Sequence, residues 1–445
     1  VTLKDRPHLE MILEGVKRVE DIKHFKYLNV FLKIICANPK KEGVLDKKVF
    51  YKKCFNISVS GVFLISGFIY VKKALGKLDL FELGHTYITV LMNIVAFSRL
   101  ATIFLDKYEK LIRDFVNKIH LINYKSVSNY ESETVLLVHK MSHFFTMFVN
   151  CSMVLGILLF NGTPLYNNIA SGAFNHAPGT KFEHAVYFYL PFDYTHNFKG
   201  YLALFCFDWY ISFTCSMAFC SMDLMVGLMV FHVWGHIRIL IYNLEHFPKP
   251  TERFKLSPTE GTRNEIDCNW YSAEDMMKTR KLLKDNILHH RLIMDFSARM
   301  SEVFGPMLFI YFAFHQVSGC LLLLECSQMD PKALTRFGPL TIILFQQLVQ
   351  ISVIFELLGS ISDKLSDAVY SIPWESMDKS NRQTVYVLLQ QAQKPVNLKA
   401  IGMVGIGVQT MAAVCCSLIF ILASPRFSHI QPFHNFFLSG KINVV

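Results

Sequence analysis

Six histidines stand in pairs along this chain. His139 and His143 are four residues apart, His232 and His236 repeat that spacing, and His289 and His290 are adjacent. An i, i+4 pair puts both imidazoles on one helix face, as a bound metal requires. The chemistry of such a pattern would be oxidation at a membrane di-iron centre, as in a desaturase or hydroxylase. The pattern stops short of that. No HxxHH box occurs, because neither Asn286 nor Ile287 supplies the histidine that should precede His289. Interfacial histidines near lipid headgroups account for the pairs more simply, and no metal or other cofactor is expected. Ionisable residues inside apolar runs are the second set: Arg99, Asp208 beside Trp209, Asp223 and Glu356. Charge in such places is costly and tends to be functional. Arg99 lies where its side chain can snorkel to one membrane face. Asp208 and Asp223 share one helix face, which must point into protein or a water-filled cavity.

The elements that position these groups are membrane spans. Hydrophobic residues make up 52% of the 445, charged residues only 18%, and phenylalanines number 39. A soluble protein this apolar would have too little polar surface to stay dispersed. Seven runs are long enough to cross a bilayer: Phe50–Tyr70, Leu83–Leu105, Val135–Phe160, Tyr201–Phe231, Met300–Leu324, Gly338–Leu358 and Val396–Leu422. Lys and Arg set the orientation, with roughly thirty on the N-terminal side and about nine on the other. The N-terminus is therefore expected in the cytoplasm and the C-terminus outside. The fold class is all-α, a seven-transmembrane helical membrane protein. The net charge of +10 is divided among loops and forms no single stripe, so nucleic acid is not an expected partner. No removable leader is expected, since the first forty residues are charged and mixed. This orientation is the reverse of a G-protein-coupled receptor, and neither a DRY-like triplet nor NPxxY occurs where that family carries them. No inverted repeat or broken-helix pair favours a transporter. The 11 cysteines include no CxxC pair. Cys320 and Cys326 could meet at an outer helix end, but free thiols are the simpler reading.

The expected organisation is a cytoplasmic arm (1–49), spans one to six with their loops (50–360, with a cytoplasmic helical extension over about 235–299), a cytoplasmic segment (361–395), the seventh span (396–423) and an outer tail (424–445). The loop after span three is rich in Pro and Gly and long enough to form a lid over an outer cavity. It begins with a glycosylation sequon at Asn161. Aromatic residues crowd the outer halves of the spans. They are either packing plus an interfacial belt or the wall of an apolar pocket with a few orienting polar groups, Thr86 and Ser152 among them. Span seven carries Gly402, Gly405 and Gly407 with Gln409, Thr410 and Ser417. That mixture suits either a tightly packed interior helix or the lining of a conduction path.

The connector between spans six and seven reads SDAVYSIPWESM, with Tyr370, Pro373 and Trp374 where polar filler is expected. Ser371 and Pro373 could cap and start a helix there. With NRQTVYVLLQQAQKPVNLKAIGM from Asn381 and GVQTMAAV from Gly407, this segment resembles insect odorant receptors. The LSDAVY…IPWE and GVQTMAA runs resemble the moth sex-pheromone receptor branch. The resemblance implies a ligand-selective subunit of a heteromeric, ligand-gated, non-selective cation channel. Such a subunit combines with a shared co-receptor in a heterotetramer, in the plasma membrane of olfactory neuron dendrites. The implied ligand is a hydrophobic volatile molecule, in the moth branch a long-chain unsaturated acetate, aldehyde or alcohol. The implied pocket lies in the outer half of spans two, three, four and six. Its expected residues are Tyr87, Leu91, Ser152, Leu155, Phe205, Asp208, Trp209, Leu340 and Leu344. The implied pore and gate fall on Gln409, Thr410, Ser417, Ile419 and Leu422. Subunit contacts are expected at Tyr370, Trp374, Arg382 and Leu389. The loop after span four is too short for the co-receptor itself, and the TYxxxxxQF signature of gustatory receptors is absent. The chain departs from the family's pattern after Val414, where CCSLIFILASPRF replaces the usual outer half of span seven. The gate positions are the ones affected. A His-box oxidase and a gustatory-type receptor are the alternatives.

Overall fold

A computed structural model describes residues 18–38, 47–75, 80–124, 128–175, 181–250, 252–256, 266–327, 331–394, 396, 399–400 and 404–405. Nine α-helices lie among them: α1 (Lys23–Ile34), α2 (Lys47–Ala74), α3 (Leu80–Thr102), α4 (Asp106–Asp114), α5 (Asn129–Ala170), α6 (Phe198–Glu245), α7 (Ala273–Ser327), α8 (Pro331–Tyr370) and α9 (Lys379–Ala392). Expected spans one to six fall on α2, α3, α5, α6, α7 and α8 in order. Most of the seventh lies outside the described residues.

Several helix starts are written locally. Ser128 and Glu131 form a reciprocal capping box at the start of α5. Asn197 caps α6 through the Lys199 N–H, and Asp378 caps α9 through the Asn381 N–H. The chain turns by 72° between α3 and the segment that begins with α4, which lays Tyr108, Leu111 and Ile112 against the bundle.

α6 and α7 are 48 and 55 residues long. At 1.5 Å per residue they span roughly 70–80 Å, more than twice the hydrocarbon thickness. They therefore carry the bundle well past the membrane, and α6 is its axis. In its most apolar window 89% of residues are buried, against 17% for α2 and 22% for α5. The outward faces of the peripheral helices instead present Ile65, Phe144, Leu158 and Ile342, the surface a bilayer would cover. Close packing against α6 needs glycine at two points. A Cβ on Gly227 would overlap the Phe145 ring, and one on Gly235 would meet Leu121 and Val138.

Two features differ from a purely helical reading. After α6 come two strands, β1 (Glu252–Leu256) paired antiparallel with β2 (Ile266–Trp270), so the described part of 235–299 is helix, strand pair, helix. The alternation of β-favouring and polar residues in ERFKL and IDCNW explains it. Within the expected seventh span, β3 (Lys399–Ala400) pairs antiparallel with β4 (Val404–Gly405). Just before them the Val396 N–H donates to Ser362 Oγ of α8 at 2.7 Å.

Candidate ligand pocket

Five helices and a lid line an apolar, partly open cavity of about 120 Å3. α3 contributes Ile88, Thr89, Met92 and Asn93; α5 contributes Ser152, Gly156 and Phe160; α6 contributes Ile211 to Cys220 on one face. α7 adds Phe314 and Leu322, and α8 adds Leu340, Ile343, Leu344 and Gln347. The roof is Val186, from the segment between α5 and α6. α3, α5, α6 and α8 are the spans on which the pocket was expected; α7 is an addition.

The lid is tied to four helices. Ser66 Oγ of α2 donates to the Tyr189 carbonyl at 2.9 Å, and His85 Nε2 of α3 donates to the Ala185 carbonyl at 2.8 Å. Asn168 of α5 brackets Glu183, accepting its N–H and donating to its carbonyl, both at 2.8 Å. From α6 comes Asp208, whose carboxylate lies 3.6 Å from His184 Nδ1 and faces the backbone N–H groups of Ala185 and Val186. His184 in turn donates from Nε2 to the Tyr194 carbonyl at 3.1 Å.

This geometry sorts the expected pocket residues. Ser152, Leu340 and Leu344 line the cavity. Asp208 does not; it is 1% exposed and holds the lid. Phe205 and Trp209 meet edge to face at 6.3 Å, with Phe205 also stacked on Tyr201, in an aromatic cluster beside the lid. Leu91 packs into the main core, and Tyr87 is half-buried away from the cavity. Leu155 is 54% exposed on the outer face of α5. Its neighbours on the lining face are Ser152, Met153, Gly156 and Ile157, and a residue between those pairs turns outward at 100° per step. Reading the sequence missed Asn93, Ser216 and Gln347. Their signal was there, since each is a polar residue inside an apolar run. Asn161, the expected sequon, is 2% exposed, donates to the Ile157 carbonyl and accepts from Ser212 Oγ at 3.2 Å. α5 continues past it, through Pro164, to Ala170.

Beneath the floor sits Arg99. It does not snorkel; it is fully buried and pairs with Asp223 at 2.9 Å. It also donates to the Phe219 carbonyl and lies 4.4 Å from the Phe219 ring centroid. Phe219 therefore separates the guanidinium from the cavity.

The histidines gather at the opposite end of the bundle. His24 of α1 meets His139 at 5.1 Å and His143 at 6.4 Å between ring centroids. His120 lies 4.0 Å from His232, and His236 Nδ1 lies 3.0 Å from His289 Nε2. Backbone groups engage several of the nitrogens. His232 Nδ1 accepts the Leu121 N–H at 3.2 Å, and His236 Nε2 donates to the Ile119 carbonyl at 2.8 Å. Among the described residues no three His, Cys, Asp or Glu side chains converge as a metal site would require. Burial, followed by the neighbouring His139 and His143, lowers the pKa of His24 to about 3. Burial likewise holds His120 well below the usual imidazole range, with His24 the next cause.

Of the expected subunit-contact residues, Tyr370 ends α8 and is 64% exposed. Trp374 opens a single 3-10 turn (Trp374–Ser376) and is packed against the main core. Ser371 does not cap it; its Oγ donates to the Ala368 carbonyl. Arg382 is exposed on α9 with Nε donating to the Met377 carbonyl, and Leu389 is half-buried. Gln409, Thr410, Ser417, Ile419 and Leu422 lie outside the described residues.

The long apolar helices and the pocket between them define a multi-spanning helical membrane protein with an apolar cavity among its spans. A family model described as "7tm Odorant receptor" matches residues 80–417. The chain belongs to the odorant receptor family, which sets it among receptors rather than enzymes, and it is a multi-pass membrane protein of the seven-transmembrane helical fold. Among solved structures it is similar to the insect olfactory receptor OR5 from Machilis hrabei, with a TM-score of 0.72 and 12% identity, covering 90% of this chain and 97% of that one. The structure of that receptor in complex with eugenol matches with the same score, identity and coverage. No curated protein matches the chain.

Proposed function

We propose that the chain is the ligand-selective subunit of an odorant-gated cation channel, and that the lidded cavity is its odorant site. The observation that carries this is the cavity itself: apolar, lined on one side by Val186, and built from the outer parts of five helices of an odorant receptor. The similar olfactory receptor is a eugenol complex, which supports a small volatile ligand here. A ligand that fits the closed lid and floor better than the relaxed ones shifts the population toward the open channel. The pore would be lined by the seventh span, around Gln409, Thr410 and Ser417, with Ile419 and Leu422 toward the gate. Partnership with a co-receptor in the dendritic plasma membrane is supported by exposed Tyr370, Tyr386 and Val387 on the segment after span six, with Trp374, Arg382 and Leu389 beside them.

The finer reading is a moth-type pheromone receptor, and it rests on the LSDAVY…IPWE and GVQTMAA runs. A long-chain acetate, aldehyde or alcohol suits the aliphatic wall, gaining roughly 0.8 kcal/mol per buried methylene. Because 120 Å3 is below the roughly 300 Å3 at which most ligand pockets begin, a long chain must displace side chains to enter, whereas a compact odorant need not. Expression with and without an odorant co-receptor, recording currents under pheromone components and compact odorants, tests both levels. Current only with the co-receptor and only for long chains supports the finer reading. Current for compact odorants alone removes the pheromone assignment, and no ligand-evoked current in any combination removes the receptor-channel reading.

A further inference from the structure

The polar groups on the cavity wall fall into two kinds. Thr89 Oγ1 donates to the Thr86 carbonyl, Asn93 donates to the Thr89 carbonyl and accepts from Cys215 Sγ, and Ser212 donates to Asn161. These are already engaged inside the protein. Ser152, Ser216 and Gln347 also line the cavity, and among the described residues they make no intramolecular hydrogen bond. Neither serine turns back on its own helix, unlike Ser221, whose Oγ donates to the Met217 carbonyl at 2.6 Å.

Their heights in the bundle agree. α5 runs toward the lid, and Ser152 is its lining residue farthest from it. α6 and α8 run away from the lid. On α8, Gln347 lies beyond Leu340, Ile343 and Leu344, and on α6, Ser216 lies beyond Ile211 and Ser212, one turn above the apolar Phe219 and Cys220. The free hydrogen-bonding groups therefore come from three helices to the half of the cavity away from the lid, and the lid end is Ile88, Phe160, Val186 and Leu322. No carboxylate, amine, guanidinium or imidazole lines the cavity among the described residues. Arg99 is shielded by Phe219 and neutralised by Asp223. An ionised ligand would lie unpaired in an apolar site, which is prohibitive. A neutral one would satisfy the three free groups and bury the rest of its surface.

We infer that the cavity selects neutral amphiphiles with one hydrogen-bonding head group and holds them head down, the head against Ser152, Ser216 and Gln347 and the apolar tail under Val186. This rests on the cavity being the odorant site. Gln347 supplies both a donor and an acceptor, so alcohols and aldehydes are both accommodated, and alkylamines and carboxylates at neutral pH are excluded.

The test uses the full chain, purified for thermal shift and co-expressed with an odorant co-receptor for currents, with 1-octanol, octanal, n-octane, octylamine and octanoate as probes. Octanol or octanal should stabilise and activate at concentrations well below those of octane, and the two ions should do neither. Gln347→Leu should raise the effective octanol concentration about three- to tenfold, the scale of one hydrogen bond, with octane unaffected. Gln347→Asn should restore part of the loss. Gln347→Glu should bring in a response to octylamine. Leu340→Ala, at the lid end, should change the preferred chain length without reordering head groups. If Leu340→Ala alters the responses but Gln347→Leu, Ser152→Ala and Ser216→Ala all leave the octanol-to-octane ratio unchanged, the head-down orientation is wrong and the site stands. If no probe stabilises the purified chain or evokes current, the site assignment fails and the orientation with it.

Discussion

Arg99 of α3 and Asp223 of α6 form an ion pair, 2.9 Å between Nη2 and Oδ1, in the middle of the bundle where the arginine is wholly cut off from solvent. The Phe219 and Tyr311 rings lie 4.4 and 4.8 Å from the guanidinium carbon. The pair thus joins the span that ends in the 72° turn to the helix on which the bundle is built, directly below the cavity floor.

Removing one partner leaves the other charged and buried. Arg99→Met or Asp223→Leu alone should lower the stability of the detergent-solubilised chain by about 3–5 kcal/mol, and the double variant Arg99→Met/Asp223→Leu by much less. Thermal unfolding of the four proteins measures this. A double-variant loss equal to the sum of the two single losses would show that the pair is not coupled.

Asp208 should act on the lid rather than on ligand choice. Asp208→Ala leaves His184 and the N–H groups of Ala185 and Val186 without their acceptor. Hydrogen exchange over residues 182–194 should rise severalfold, with little change at 23–34. The order in which ligands are preferred should stay as it is. A reordered ligand series with an unchanged lid would return Asp208 to the pocket wall.

The histidine layer makes docking of α1 dependent on pH. His24 is buried neutral, with its folded pKa lowered to about 3 from 6.5 by burial and then by His139 and His143. Below 6.5 the undocked state binds more protons than the docked one, so docking is at full strength above pH 6.5 and weakens as pH falls toward 3. Hydrogen exchange of residues 23–34, corrected for intrinsic rates, should show constant protection from pH 8 to 6.5 and a decline by pH 5.5. His24→Phe should reduce that decline, and the neighbouring His120, also held below the usual imidazole range by burial, should keep part of it. Protection that stays level to pH 5 would contradict the neutral-imidazole account.

Asn161 should carry no glycan in spite of its sequon. Its amide is buried and hydrogen-bonded inside α5 and to Ser212. Glycosidase treatment should therefore leave the electrophoretic mobility of the chain unchanged, and Asn161→Gln should do the same. A mobility shift lost in Asn161→Gln would place this asparagine outside the helix during maturation.

Residue order alone carries the helical class, the long apolar runs and the aromatic-rich segments. Those features depend on composition and periodicity over windows of about 20 residues, because a bilayer leaves a chain few choices. The family could be read from short runs near the C-terminal end for the same local reason. Which face of each span looks inward was decided only in three dimensions. Leu155 and Ser152 sit on the same helix, yet one faces outward and the other the cavity, because packing fixes the rotation of α5 about its axis. The partners of buried charges were equally hidden. Arg99 and Asp223 are distant in sequence, and only the packing of α3 on α6 brings them together. Asp208 was legible as a residue with a task, but the task depended on His184, which the lid brings back over the bundle.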